Sequence, residues 1–297
     1  MINQLLIDNI ANKLNEPIFS IQKINVGYSR EVYLLNNKYI LKIVCKLQNE
    51  SNSLRELQFL KEHNYSFTSK IIFSDTSKSI IPYFYFLETL LPGTSLLFRW
   101  ASLSTREKKD VLIDLIAKLH VVHKYQMESD CLQKVLEEFE EYLELLIRSE
   151  LLVKEQIRYL ESLRNIIPKL FIHAKVGLIH GDLHFNNILI TDNNNISLID
   201  FEKLNFSFVE REYDPINRMI RNPNSFINNG SETVLNSTDF LGILEFVKEN
   251  DDSIDKEMFE KRLLLFDCLN SMKWLIKYPD YDLYHNILFQ KSRKLIN

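Results

Sequence analysis

Three side chains suited to one kind of chemistry fall within the stretch 178–202, LIHGDLHFNNILITDNNNISLIDFE. Asp182 follows His180-Gly181, Asn187 comes five residues later, and Asp200 opens Asp200-Phe201-Glu202. Two short apolar runs, Ile188 to Ile190 and Ile196 to Ile199, flank a polar turn at 192–195. The pattern predicts two paired strands with two carboxylates and an amide near their ends. Phosphoryl transfer needs such a set, because its transition state asks the protein for positioning and charge stabilisation more than for covalent chemistry. A hard Mg2+ ion takes oxygen ligands and draws only one or two from protein, the rest coming from phosphate and water. Asn187 and Asp200 fit as those ligands. Asp182 fits as the group that orients an acceptor hydroxyl and takes its proton.

These groups need elements to hold them. In the first hundred residues, segments 18–25, 31–36 and 38–45 are rich in β-branched and aromatic residues, and Asn36-Asn37 reads as a hairpin turn. Segment 50–63 spaces Leu54, Leu57, Phe59 and Leu60 as one helix does, and strands follow around 70–74 and 80–88. Leu91-Pro92-Gly93 predicts a boundary between a unit at 1–91 (five antiparallel strands and one helix) and a helical unit at 92–297. Long amphipathic helices are expected from Ser104 onward, at 131–149 and at 152–171. A β-rich stretch interrupts them at 176–201, and helices resume near 239–249, at 256–276 and at the C-terminus. A small β-rich lobe ahead of a larger helical one suggests a cleft, where ligands commonly bind.

Composition narrows the function classes. The 297 residues are 45% hydrophobic and 26% charged, which suits a globular chain with a real core. A formal net charge of -4 supplies no basic field for nucleic acid or anionic lipid. Cys45, Cys131 and Cys268 stand far apart, in neither a disulfide framework nor a zinc pattern. The N-terminus has no leader pattern and no window reaches the apolar length of a membrane span, so a cytoplasmic location is expected.

His-Gly-Asp-x-His-x-x-Asn with Asp-Phe-Glu downstream resembles the catalytic loop and metal motif of aminoglycoside phosphotransferases and related small-molecule kinases. The resemblance implies an α+β, two-lobed protein-kinase-like fold, with ATP or GTP and Mg2+ as cofactors and Asp182 as the catalytic residue. Val26-Gly27-Tyr28-Ser29-Arg30-Glu31-Val32-Tyr33 then sits where such kinases fold a hairpin over the phosphates, with Gly27 and Ser29 in its turn. Lys42 takes the place of the phosphate-binding lysine, with Glu56 as its helical partner and Glu50 in reserve. Glu88 and Leu90 resemble the hinge whose backbone bonds the adenine edge. Val32, Ile40, Leu189 and Ile199 would form apolar walls around the base. His180 reads as structural packing of the loop, while for His184 a ligand contact and a buried structural role both stand.

Departures from the protein-kinase pattern favour a small-molecule hydroxyl as acceptor. Gly181 stands where many protein kinases carry an arginine, Glu202 replaces a glycine, and no Ala-Pro-Glu segment follows in 203–240. Glu202, Glu210, Glu212 and Asp214, with Glu137, Glu138, Glu140, Glu141 and Glu144 on one expected helix, would suit a cationic acceptor such as an aminoglycoside. A solvated helix face explains the second group equally well, and Asp214 equally suits support of the loop. Choline, ethanolamine, homoserine, sugar and macrolide kinases remain open, as do a protein kinase and a catalytically silent nucleotide-binding protein. Oligomeric state is not readable.

Overall fold

A computed structural model describes residues 2–24, 30–125, 130–227, 234–280 and 282–296. In chain order the elements begin with α1 (Gln4–Leu14), β1 (Ile21–Ile24), β2 (Glu31–Leu35), β3 (Tyr39–Val44), α2 (Glu50–Glu62), β4 (Ile71–Asp75) and β5 (Phe84–Thr89). Then come β6 (Thr94–Ser95), α3 (Leu96–Arg99), α4 (Thr105–His123), α5 (Cys131–Arg148), α6 (Lys154–Leu163) and α7 (Ile167–Leu170). The order closes with β7 (Val176–Ile179), β8 (Ile188–Ile190), β9 (Ile196–Leu198), β10 (Asn205–Phe208), α8 (Asp214–Arg221), α9 (Ile243–Asn250), α10 (Phe259–Lys277) and α11 (Asp282–Ile296). The fold is α+β. None of the described helices is long and apolar enough to cross a membrane.

The chain divides into two compact units. The first spans Met1–Ser102, returns for Phe185–Leu204, and takes a short piece from Ile227. Its sheet has the expected five strands, all antiparallel, in the order β1-β2-β3-β5-β4. Asn36 and Asn37 both adopt left-handed backbone at the β2–β3 turn, the twist a tight hairpin requires. Asn36 Oδ1 also accepts from the Phe19 amide at 3.0 Å, fixing the approach to β1. Pleating divides the side chains by parity. Tyr33, Leu35, Leu41, Ile43, Tyr85 and Leu87 cluster on one face with Leu6 and Ile10 of α1. Lys42 lies opposite Val32 and Phe86 and shares the other face with them, where α2 packs Leu57 against Phe84 and Phe86.

Helix α1 corrects the expectation of a single helix in this region. Asn3 caps it by accepting from the Leu6 amide at 2.9 Å, and Asn15 ends it in left-handed backbone. Leu6 and Ile10, one turn apart, are buried and bind it to the sheet.

The unit also runs past the expected boundary. Gly93, at φ +114°, brings the chain so close to β8 that a Cβ there would meet the Ile190 carbonyl oxygen at 2.7 Å. Thr94 and Ser95 then pair with Ile190 and Leu189, giving a second sheet of β6, β8 and β9. The Pro-Gly pair therefore marks a close backbone crossing, and Asn187 and Asp200 belong to the same unit as Lys42.

The second unit comprises Leu103–His184, Asn205–Phe226 and Val234–Asn297. Its core joins the stripe Cys131, Val135, Phe139, Leu143 and Leu146 of α5 to Leu265, Phe266, Leu269, Met272 and Leu275 of α10. A capping box of Ser104 and Glu107 starts α4. The helix expected over 152–171 is broken into α6 and α7, with Pro168 in the first turn of α7. Strand β10, not anticipated, pairs antiparallel with β7.

Candidate functional site

The first unit gathers an ion cluster on the Lys42 face of its sheet. Lys42 Nζ lies 2.8 Å from Glu56 Oε1 and 2.8 Å from Glu88 Oε1, and the Glu56 side chain has no solvent exposure. Arg30 joins Glu56 through Oε2, reaches Asp200 Oδ1 with its other terminal nitrogen, and stands 3.3 Å from Glu202 Oε2. Burial works against the Lys42 charge, but Glu56 and Glu88 outweigh it and raise the ammonium's pKa. At Glu56 burial is opposed by Arg30 and Lys42, which hold the carboxyl below its ordinary value. At Glu88 burial prevails, helped by the nearby Glu56 charge, and the pKa rises despite Lys42. Glu56 is the committed anion of the pair and Glu88 the carboxyl that holds its proton more readily.

Asn187 is buried just ahead of β8, and its carbonyl accepts the Ile199 amide at 3.1 Å, which ties it to the residue before Asp200. Asp200 has left-handed backbone, φ 66° and ψ 59°, which is uncommon outside glycine and turns the chain sharply out of β9. Phe201 anchors the turn against Phe59 of α2, ring centroids 4.9 Å apart. The donor set of one carboxylate and one amide oxygen suits a hard cation such as Mg2+. Among the described residues no group of three or more His, Cys, Asp or Glu forms a metal cage.

Val32, Ile40, Leu189 and Ile199 are all half-buried. The hinge residues differ from expectation. Glu88 lies inside β5, in register with Ile40 on one side and Ile71 on the other, so its backbone faces neighbouring strands. The Leu90 amide donates to the Lys38 carbonyl at 2.8 Å and is spent within the protein. Gly27 and Ser29 lie outside the described residues.

Asp182 belongs to the second unit. Gly181, at φ 78°, makes the turn before it, and the Asp182 amide donates to His180 Nδ1 at 3.3 Å. His180 is fully buried, in keeping with a structural role. Glu212 holds this turn: its carboxylate accepts the His180 amide at 2.7 Å and the Gly181 amide at 3.2 Å, with His123 Nε2 at 3.4 Å. His184 packs edge-on against Phe226.

The acidic residues expected to meet an acceptor are largely committed inside the protein. Glu210 and Glu212 have no exposed surface. Glu210 pairs with the buried Arg262 and Glu212 supports the loop, so neither is a substrate-contact group. Asp214 is nearly buried and bonds Arg218 at 3.1 Å, and Glu202 faces Arg30. Loop support thus falls to Glu212 rather than Asp214. On α5, Glu138 pairs with Arg211, Glu140 with Arg164 and Glu144 with Arg148, which makes that face an ordinary ion-paired helix surface. Arg30 was not singled out from sequence. Parity was the signal for it, since Arg30 shares a sheet face with Val32, and Val32 pairs with Lys42.

Residues 20–209 match the model of the phosphotransferase enzyme family. Among curated proteins none matches the chain in sequence. The ternary complex of APH(2")-IIa with streptomycin and ATP superposes with a TM-score of 0.68 at 15% identity, covering 100% of this chain and 97% of that one. The GDP complex of aminoglycoside 2'-phosphotransferase-IIIa gives 0.69 at 14% identity, over 98% and 99%. Choline kinase from Cryptosporidium parvum Iowa II gives 0.59 at 15% identity, over 99% and 94%. At these identities the likeness establishes the fold.

Proposed function

Because the chain belongs to the phosphotransferase enzyme family, we propose that it moves the terminal phosphate of ATP or GTP to a hydroxyl of a small molecule, with Mg2+ as cofactor. The observation that carries this reading is the cluster in which Lys42, paired to buried Glu56, is linked through Arg30 to Asp200. A buried lysine between two carboxylates is a fixed point charge, suited to phosphate oxygens. Asn187 and Asp200 would hold Mg2+, which supplies charge neutralisation on the phosphates when bound. Val32, Ile40, Leu189 and Ile199 would line the base. With the Thr89 and Leu90 amides spent on Lys70 and Lys38, the base edge would fall to the backbone at Leu91.

Asp182 would take the proton of the acceptor hydroxyl and turn that oxygen toward the terminal phosphate. Glu212 and His180 keep it at the tip of the turn. An aminoglycoside is the first acceptor class to test. Support comes from the family and from solved relatives whose complexes contain streptomycin, gentamicin or kanamycin. The acidic clusters no longer argue for it, since their carboxylates are mostly committed to internal partners.

The test is Mg2+-dependent nucleotide consumption, with ATP and GTP separately, across aminoglycosides, choline, ethanolamine, homoserine, sugars and macrolides. Stimulation by one class identifies the acceptor. If no acceptor stimulates consumption and the nucleotide does not bind with Mg2+, the kinase reading is wrong.

A further inference from the structure

We propose that Arg30 is a positioning residue for the metal-binding carboxylate, its guanidinium fork tying Asp200 and Glu202 to Glu56 and, through Glu56, to Lys42. The inference rests on the kinase reading above. Arg30 opens the chain into β2, and its side chain is only 4% exposed. One terminal nitrogen serves Glu56 of α2, and the other serves Asp200 and faces Glu202 beyond β9. Three elements distant in sequence are thereby joined through a single planar group. A lysine, with one nitrogen, cannot span both ends of that fork.

Such a tie reaches Asp200. Its side chain is 40% exposed, and its left-handed backbone sits at the head of a single helical turn, Phe201–Lys203. Glu56 uses one oxygen for Lys42 and the other for Arg30, so the phosphate-facing lysine and the metal-facing aspartate share one buried anchor. Groups that orient a metal ligand govern metal affinity although they never touch the ion.

Charge alone makes the opposite prediction, which gives the test its power. Four carboxylates (Glu56, Glu88, Asp200 and Glu202) surround two cations, so removing Arg30 makes the region more negative and would draw a cation more strongly. Positioning predicts weaker metal use on the same removal.

The experiment is a Mg2+ titration of fluorescent ATP-analogue binding to the full chain, comparing wild type with Arg30→Lys and Arg30→Gln, with thermal melts alongside. Both variants should raise the half-saturating Mg2+ concentration about 10- to 100-fold, a larger change than they make in metal-free nucleotide binding. Arg30→Lys, although it keeps the charge, should not rescue. An unchanged or lowered Mg2+ requirement in folded variants overturns the proposal. Loss of folding in both variants also overturns it, by making Arg30 a structural ion pair. A wild type that binds no nucleotide with Mg2+ overturns the kinase reading itself, and this inference with it.

Discussion

Replacing Glu212 with alanine should destabilise the second unit through two named amides. Glu212 is fully buried and accepts from His180 N–H at 2.7 Å and Gly181 N–H at 3.2 Å. The His123 contact, at 3.4 Å, is long and adds little. Each buried donor left without an acceptor costs about 1–3 kcal/mol. A water entering the vacated space would recover one of the two, and the variant escapes the cost of burying a carboxylate. The expected loss is therefore about 1–3 kcal/mol, about one to two orders of magnitude in the unfolding equilibrium. The two amides meet different carboxylate oxygens, so glutamine keeps an acceptor for one and turns its NH2 toward the other, and Glu212→Gln should also lose about 1–3 kcal/mol. Urea unfolding followed by fluorescence would measure both, since Trp274 on α10 lies in the same unit. Glu212→Ala within about 0.5 kcal/mol of wild type would refute the reasoning, as would a glutamine variant as stable as wild type.

Other perturbations have equally definite outcomes. Lys42→Ala should weaken nucleotide binding about tenfold or more through loss of a charge-assisted contact, and calorimetry showing unchanged affinity and unchanged turnover would remove Lys42 from the site. Gly93→Ala should cost about 2 kcal/mol or more, because φ +114° suits glycine and the Ile190 carbonyl blocks a Cβ; a neutral effect on the melting temperature would contradict the close crossing. Asp251 is opposed by burial, yet hydrogen bonds from His120, Ser253 and Tyr213 hold its pKa below the ordinary aspartate value. The sign follows from a depressed folded pKa: the stabilisation is present above the unfolded value and is lost as pH falls through the lower folded one. Asp251→Asn should therefore flatten the acid limb of the stability profile, and an unchanged limb would show that Asp251 carries none of it.

How much was legible in the sequence follows from the range of the interactions. The 180–202 stretch stands out through local spacing, and Lys42 with Glu56 through the family resemblance, to which the structure adds their 2.8 Å pairing. The five-strand sheet likewise follows from alternation and from the Asn36-Asn37 turn. What escaped depends on contacts between distant segments. Arg30 gains its role from partners as far off as Asp200, and strand β10 from pairing with Val176–Ile179. Burial reversed the reading of Glu210 and Glu212, because clustered acids look alike in sequence whether they face solvent or an internal arginine. Pro92-Gly93 looked like a linker because a close backbone crossing asks for the same residues as a flexible joint. Helix α1 is legible in the Asn3 cap and in the one-turn spacing of Leu6 and Ile10.

The most direct test of the central claim is the mass of the acceptor after incubation with Mg2+, nucleotide and the purified chain. The account predicts an acceptor that gains one phosphoryl group, with the rate falling about 10²-fold or more in a folded Asp182→Asn variant. An acceptor that becomes phosphorylated within tenfold of the wild-type rate by that variant would contradict the role of Asp182. No phosphorylated product from any acceptor class, with the nucleotide left intact, would contradict the kinase itself.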